Sequence, residues 1–404
     1  MPETFVIVGA GAAGVTAAFT LRDAGFDGEL VLLGDEDELP YERPPLSKEG
    51  LNDPELKLLR PSAAYEEAGI ELRVGARAEE LDTRKQLVKL AEGEAIHYDR
   101  LLLATGGRAR RLSLPGSDLE GIRYLRTAND KERIAAEAQT RTAVVVVGLG
   151  FIGSELAATL RTSELEVTAL DPLERPLAAA IGGEVADIVL ELHREHGVRL
   201  RTGEGVVAFR GKNRVEAVVT DTGDTVEADF VVIGAGMLPN VELAVGAGLR
   251  VDGGIVVDER CRTSAPKVYA VGDVAAHFNP RHDRHVRVEH WDHALQHAVV
   301  AARAMLGKDV SYECGYWFWS DIYDANIQAA GLPGYADEQV LRGSLAERRF
   351  VVFGLTAGRV TSAVALNNGR DLRRSLPLIH RAAEVDASAL RDPAFDLRSS
   401  SAAS

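Results

Sequence analysis

A short apolar run that turns through three spaced glycines into an alanine-rich helix occurs twice in this chain, and the repetition restricts the fold more than any other feature. The first copy is FVIVGAGAAGVTAAFTLRDAG, leading on to LVLLGDE, and the second is TAVVVVGLGFIGSELAATLRTSELEVTALD. In a βαβ dinucleotide fold the first glycine makes the tight turn, the second lets the backbone approach a pyrophosphate and the third permits close helix packing. Gly9, Gly11 and Gly14, with Ala13 between them, hold these places in the first copy; Gly148, Gly150 and Gly153, with Ile152, hold them in the second. Asp35 and Glu36 are expected to end the second strand of one unit and Asp171 that of the other, where a carboxylate accepts hydrogen bonds from a ribose. Each copy is followed by an apolar strand ending in a small-residue turn, RLLLATGG with Thr105 and Gly106, and FVVIGAGMLPN with Gly236. Two dinucleotide sites are predicted.

Other segments belong to neither repeat. In TSAPKVYAVGDVAAH a strand is expected to run into Gly272 and Asp273 and then into a helix, where Asp273 either binds a ribityl hydroxyl or caps the helix. In PYERPPLSK the two prolines fix φ and restrict the preceding residue, which predicts a stiff extended segment holding Arg43 and Lys48 still, or a rigid turn capping a helix near Ser47. After residue 315 the composition changes to aromatic YWFWSDIY, then alternating strands, two helical stretches and a polar end, which reads as a separate small α+β domain.

A length of 404 residues predicts two or three domains. The net charge of −15 argues against a nucleic-acid binder and against an anionic membrane surface as partner. The apolar runs are short and glycine-broken, so no membrane span is expected. MPETFVIVGAGAAG lacks a positively charged leader, and the cytoplasm is the expected compartment. The two cysteines, Cys261 and Cys314, are too far apart in sequence to form a redox dithiol motif. His282, His285, His290, His293 and His297 cluster, with His293 and His297 at helical i,i+4 spacing, but no further ligand completes a metal signature and a polar helix start accounts for them. No metal is expected.

GAGAAG, PYERPPLSK, ATGG, GLGFIGSELA and YAVGDVA together resemble the FAD-dependent, NADH-dependent ferredoxin reductases that feed Rieske dioxygenases and thiolate-haem monooxygenases. The resemblance covers nearly the whole chain. It implies an α/β fold with two Rossmann-like dinucleotide-binding domains plus a C-terminal α+β domain. An FAD-binding domain would comprise residues 1–112 and 246–315, an NADH-binding domain 113–245 and an interface domain 316–404. It further implies that Arg43 lies near the FAD pyrophosphate, Lys48 beside the isoalloxazine, and Glu155 paired with Lys48 facing the nicotinamide. Arg126 resembles a position near the flavin, or is a surface arginine. Glu289 and Trp291 would line the nicotinamide pocket and Trp319 would approach the flavin edge, core packing being the other reading of both tryptophans.

Disulfide reductases pass electrons from flavin to a CxxxxC dithiol. Nothing of the kind follows the first βαβ unit, so electrons are expected to leave the flavin directly, singly, for a 2Fe-2S ferredoxin and through it a terminal oxygenase. The alternatives are a reductase of a small acceptor, monodehydroascorbate-like or quinone, and an NADH-responsive flavoprotein of the apoptosis-inducing type. A monomer or weak homodimer is expected. An acidic ferredoxin would need a local basic patch on this acidic chain: Arg108, Arg110 and Arg111, or Arg281, Arg284 and Arg287, with Trp317 or Trp319 packing against the partner.

Overall fold

The computed structural model of the chain describes residues 2–279, 283–313 and 315–398; Arg281, His282 and Cys314 lie outside them. The chain forms two compact units, one of Met1–Arg43, Glu55–Arg108 and Met237–Cys314, the other of Pro44–Pro54, Ala109–Gly236 and Gly315–Ser404. The division falls within the double-proline segment, so Arg43 belongs to the first unit and Lys48 to the second.

The first unit is built on a parallel five-stranded sheet in the order Val268–Ala270, Arg100–Leu103, Thr4–Val8, Glu29–Leu33, Glu71–Arg73. A parallel sheet is covered on both faces, which is why these strands read as unbroken apolar runs. On one face Phe5, Ile7, Leu30 and Leu32 pack with residues of helices Ala12–Asp23 and Trp291–Met305. On the other, Val6, Val8, Val31 and Leu33 pack with Leu81, Val88, Ile255 and Val257. Two sequence expectations are corrected here. Strand Glu29–Leu33 ends before Asp35 and Glu36, which lie in the following bend. After Val268–Ala270 no helix follows: Gly272–Val274 is a single 3-10 turn that passes into strand Ala275–Asn279, so Asp273 caps no helix.

The second unit repeats the arrangement with strands Arg199–Thr202, Glu166–Asp171, Ala143–Val147, Phe230–Ile233 and Ile122–Tyr124, again parallel. Residues 44–54 form an arm on this unit. Pro44–Ser47 is a 3-10 turn, not an extended segment; a proline φ near −65° suits the first turn of a helix as well as an extended strand, and the sequence alone does not separate the two. Leu51 enters the core with Leu156 and Leu160, Lys131 Nζ donates to the Asp53 carbonyl, and Thr159 Oγ1 donates to the Ser47 carbonyl at 2.9 Å. The unit's C-terminal part is an antiparallel sheet in the order Trp317–Ile322, Ala325–Gly331, Arg359–Leu366, Arg349–Thr356, Glu338–Ser344. Phe318, Ile322 and Ile327 pack with Val185, Val189 and Leu192 of helix Gly183–Glu195, while Val351, Phe353 and Ala365 pack with Leu372, Leu378 and Ile379 of helix Gly369–His380.

The glycines of the second loop are of two kinds. A Cβ on Gly153 would meet the Gly148 carbonyl oxygen at 1.8 Å, whereas one on Gly150 would meet nothing within 4 Å. Gly153→Ala should therefore lower stability by about 1–3 kcal/mol through overpacking, and Gly150→Ala should leave it near wild type, as read by thermal unfolding monitored by circular dichroism.

Candidate functional site

Both glycine loops end in helix starts open toward an anion. Gly11 caps helix Ala12–Asp23 and Gly150 caps Phe151–Thr162; both are extended, neither end has a side-chain cap, and neither has an acidic residue in its first turn. The helices leave first-turn amides and a positive dipole end. A Cβ on Gly11, as on Gly150, would meet nothing within 4 Å, so each loop leaves a space beside those amides. That is the shape and polarity a pyrophosphate needs. The other glycines make the cradle: Gly9 at φ +110° passes the Ala104 carbonyl so closely that a Cβ would lie 2.2 Å from it, and Gly14 would clash with the Gly9 carbonyl at 1.9 Å. Ala13 is buried and Ile152 is exposed at the start of its helix.

Of the acidic residues expected at the strand ends, Asp171 and Glu36 are already engaged. Asp171, buried at the end of its strand, accepts the Leu149 N–H at 2.7 Å and the Leu173 N–H at 2.8 Å, so its carboxylate braces the glycine loop itself. Arg175, just beyond it, is held by Asp187 through bonds of 2.9 and 2.5 Å. In the first unit Glu36 takes an ion pair from Arg43 at 2.6 Å and a hydrogen bond from the Tyr41 hydroxyl at 2.5 Å, while Asp35 is exposed.

A buried polar arrangement of the second unit centres on Glu155, 3% exposed. Its Oε1 lies 3.0 Å from Lys48 Nζ and accepts the Ser320 hydroxyl at 2.6 Å; its Oε2 accepts the Ser47 hydroxyl at 2.5 Å. Lys48 Nζ also donates to the Pro44 carbonyl at 3.2 Å. Three distant segments thus meet at one carboxylate: the arm, the glycine-loop helix and the strand Trp317–Ile322. Sequence reading named Lys48 and Glu155 but missed Ser47 and Ser320, whose short hydroxyls carry no spacing signal of their own. Strand alternation puts Trp317 and Trp319, stacked at 5.3 Å, on the face opposite Ser320. Trp317 packs against the cluster containing Phe353 and Leu378.

The remaining candidates are distributed as follows. Thr105 donates to the Asn240 carbonyl at 2.8 Å and Asn240 returns a bond to the Thr105 carbonyl at 2.9 Å, fixing the turn at Gly106, where φ is +59°. Gly236 has φ +91° and open space around it, and Arg126 is half-buried with its backbone N–H on Asp130. Asp273 is half-buried in its turn, Glu289 pairs with Arg287, and Trp291 is the half-buried first residue of its helix. Among the described residues, no group of three or more His, Cys, Asp or Glu is placed to hold a metal ion. No helix among them is long and apolar enough to cross a membrane.

The pyridine nucleotide-disulphide oxidoreductase model matches residues 3–298, and the reductase C-terminal model matches residues 317–401. The chain belongs to the pyridine nucleotide-disulphide oxidoreductases. It is 42% identical over 401 residues to the anthranilate 1,2-dioxygenase system ferredoxin–NAD(+) reductase component of Burkholderia cepacia, covering 98% of each. Rhodocoxin reductase of Rhodococcus erythropolis is 38% identical over 399 residues, with 98% of this chain and 93% of the relative covered. Among solved structures, the covalent putidaredoxin reductase–putidaredoxin complex matches at a TM-score of 0.94 and 38% identity, over 98% of this chain and 97% of that one. Within this oxidoreductase family the present chain keeps no dithiol beside its first glycine loop. Cys261 is fully buried, and burial pushes its thiol well above the usual range.

The histidines are not a polar helix start. His293 and His297, on helix Trp291–Met305, and His277, on strand Ala275–Asn279, are buried to 1% exposure or less, and their rings meet one another and Tyr312 at centroid distances of 4.7 to 5.5 Å. His293 Nδ1 lies 2.6 Å from the Tyr312 hydroxyl. Burial pushes His277 down to about 4 and His297 to about 3, and holds His293 well below the usual imidazole range, with the neighbouring histidines adding to it. The folded protein therefore keeps these rings neutral where the unfolded chain protonates near pH 6.5. Between about pH 6.5 and 4 the unfolded state binds more protons, so stability should fall as pH falls, by at most about 1.4 kcal/mol per pH unit for each ring that stays neutral in the folded protein. Urea midpoints measured from pH 7.5 to 5 should drop along that slope, and replacing His277 by Phe should flatten it.

Proposed function

We propose that the chain is an NADH-dependent ferredoxin reductase that binds FAD at its first glycine loop and NADH at its second, and supplies electrons to a 2Fe-2S ferredoxin serving an oxygenase. The observation that carries the reading is the buried Lys48–Glu155 pair joined to the helix of the second open glycine loop, in a chain that is alike over its full length to ferredoxin reductase components. FAD, when bound, accepts two electrons as a hydride from NADH and releases them one at a time. Gly9, Gly11, Gly14, the helix start at Ala12, Arg43, the Thr105–Gly106 turn and Asp273 would hold it. We assign residues 1–112 and 246–315 to the FAD-binding domain, 113–245 to the NADH-binding domain and 316–404 to an interface domain; the arm of residues 44–54, within the first of these ranges, folds in the compact unit that contains the second glycine loop.

In the second unit the amides after Gly150 would take the NADH pyrophosphate. Asp171 places a negative charge where a ribose 2′-phosphate would have to sit, and Arg175 is tied to Asp187, so NADH is favoured over NADPH. The role of Glu155 is to hold Lys48 and orient the nicotinamide, its two carboxylate oxygens each held by a serine hydroxyl. We propose a cytoplasmic protein, present as a monomer or weak homodimer. Of the two arginine groups, Arg108 pairs with Glu242, Arg287 with Glu289, and Arg111 lies over the Tyr124 ring; Arg110, Arg111 and Arg284 are exposed and are the arginines we assign to an acidic ferredoxin.

Glu155→Gln keeps the shape and one accepting oxygen, turns the other serine hydroxyl into an acceptor for the new amide N–H, and removes the charge. It should slow anaerobic flavin reduction by NADH about tenfold to a hundredfold in stopped flow while leaving the FAD content unchanged; normal hydride transfer with lowered stability would make Glu155 a packing residue. Electron transfer to a 2Fe-2S ferredoxin should slow steeply between 20 mM and 300 mM salt, since steering is screened within about 8 Å at physiological ionic strength, and NADH reduction of the flavin should not. Arg110→Glu or Arg284→Glu should lower the ferredoxin association rate alone. A ferredoxin rate no faster than that of dioxygen or a small quinone would overturn the assignment.

A further inference from the structure

The buried imidazoles include one whose hydrogen bond reaches the turn assigned to FAD. His297 is fully buried, and its Nδ1 accepts the N–H of Gly272 at 3.3 Å. Gly272 opens the turn Gly272–Val274 at φ +70°, a conformation that side chains disfavour. A Cβ there would lie 3.2 Å from the Ala13 Cβ in the first glycine loop's helix and 3.7 Å from the Ala294 Cβ in the helix that carries His297. The turn is thus pressed between two helices. On its N-terminal side, strand Val268–Ala270 pairs with Arg100–Leu103, and the Val271 N–H is taken by the Leu103 carbonyl. The next amide, that of Gly272, is buried beyond the reach of this ladder and finds its acceptor in the imidazole. A buried amide without an acceptor carries the full penalty of its desolvation, so the turn would shift to find one.

Resting on the reading that Asp273 binds FAD, we propose that His297 is a positioning residue for the flavin: its neutral Nδ1 fixes the Gly272 amide, and the fixed turn presents the Asp273 carboxylate to the cofactor.

An accepting Nδ1 puts the imidazole proton on Nε2, which finds no hydrogen-bond partner among the described residues and lies among the rings of Tyr312, His293 and His277 at centroid distances of 4.7, 4.9 and 5.5 Å, so the Gly272 amide is the one hydrogen bond shown for this imidazole. Around it, the charge of His277 on strand Ala275–Asn279 acts on His297 directly, the rings of His293 on its own helix and of Tyr312 lie against it, and the Cys261 thiol bonds the His297 carbonyl; His285 of strand Arg284–Arg287 stands behind His277, His290 acts on His293, and Asp273 acts on His290. Burial, followed by the charge of His277, pushes His297 down to about 3, so the acceptor lone pair is available throughout the neutral range. Helix spacing alone suggests a metal pair at His293 and His297; the geometry gives His297 a backbone amide instead.

The test separates the acceptor from the ring. FAD release from the purified holoprotein is followed by the recovery of free-flavin fluorescence at pH 7.5 for His297→Leu, His297→Phe and His297→Gln. His297→Leu and His297→Phe lack an acceptor and should release FAD about tenfold faster or more, while His297→Gln, whose amide oxygen can take the Gly272 N–H, should stay within about threefold of wild type. A wild-type rate for His297→Phe with a fast His297→Gln, or equal rates for all variants, overturns the inference and leaves the FAD assignment standing. If His297→Phe does not fold, the order of His297→Leu against His297→Gln decides in the same way. A wild-type protein that neither carries nor takes up FAD overturns the FAD assignment and the inference together.

Discussion

A carboxylate removed from water has to be compensated on every side, and Glu155 is compensated by groups from places far apart in the chain. Ser47 is 108 positions away and Ser320 is 165 positions away, yet both hydroxyls reach it, with the Lys48 ammonium between them. Removing one partner of a buried pair leaves an uncompensated charge, which is far more damaging than the net worth of the pair suggests. The glycine-loop helix, the arm of residues 44–54 and the first strand of the C-terminal sheet therefore depend on one another. Leu51 in the core, Lys131 on the Asp53 carbonyl and Thr159 on the Ser47 carbonyl reinforce the same join. A lysine placed by this much scaffold has few other positions open to it.

The parts of the fold legible in the sequence were those governed by short-range rules. The two glycine loops were readable because close backbone approach excludes side chains at Gly9, Gly14, Gly148 and Gly153, and the buried parallel strands because they are apolar on both faces. The closing strands were readable as strands from the repeat, and the structure pairs each with the first strand of its unit. Where one local pattern serves two conformations, the sequence leaves the choice open or points the wrong way: the double proline fits a rigid turn as well as an extended segment and the structure takes the turn, while the helix expected after Gly272 is a single 3-10 turn. Ser47, Ser320 and the histidine box were illegible for another reason. Their partners lie on other elements, and nothing in the spacing of a serine or histidine says which element will arrive opposite it.

The glycine fingerprint also separates into structural and functional positions that a motif treats alike. Gly14 and Gly153 carry the helix against the loop and admit no side chain at all, while Gly11 and Gly150 face open space and would admit one without disturbing the chain. The first pair answers to the protein's own packing, the second to whatever lies beside the helix start. A fold can keep the former and lose the latter, which is how a dinucleotide-binding shape persists after its ligand has gone.

The clamp of Asp187 on Arg175 bears on how donor choice could change over evolutionary time. The guanidinium already stands next to the strand end where a 2′-phosphate would arrive, and it is silenced by a carboxylate on a separate helix, twelve positions along the chain. On the proposed assignment of the donor to the second glycine loop, discrimination between the two nicotinamide donors would be held partly outside that loop, by a residue on a separate helix. Neutralising Asp187 would release a cation already in place, so a change of cellular reductant lies a small number of substitutions away from this sequence.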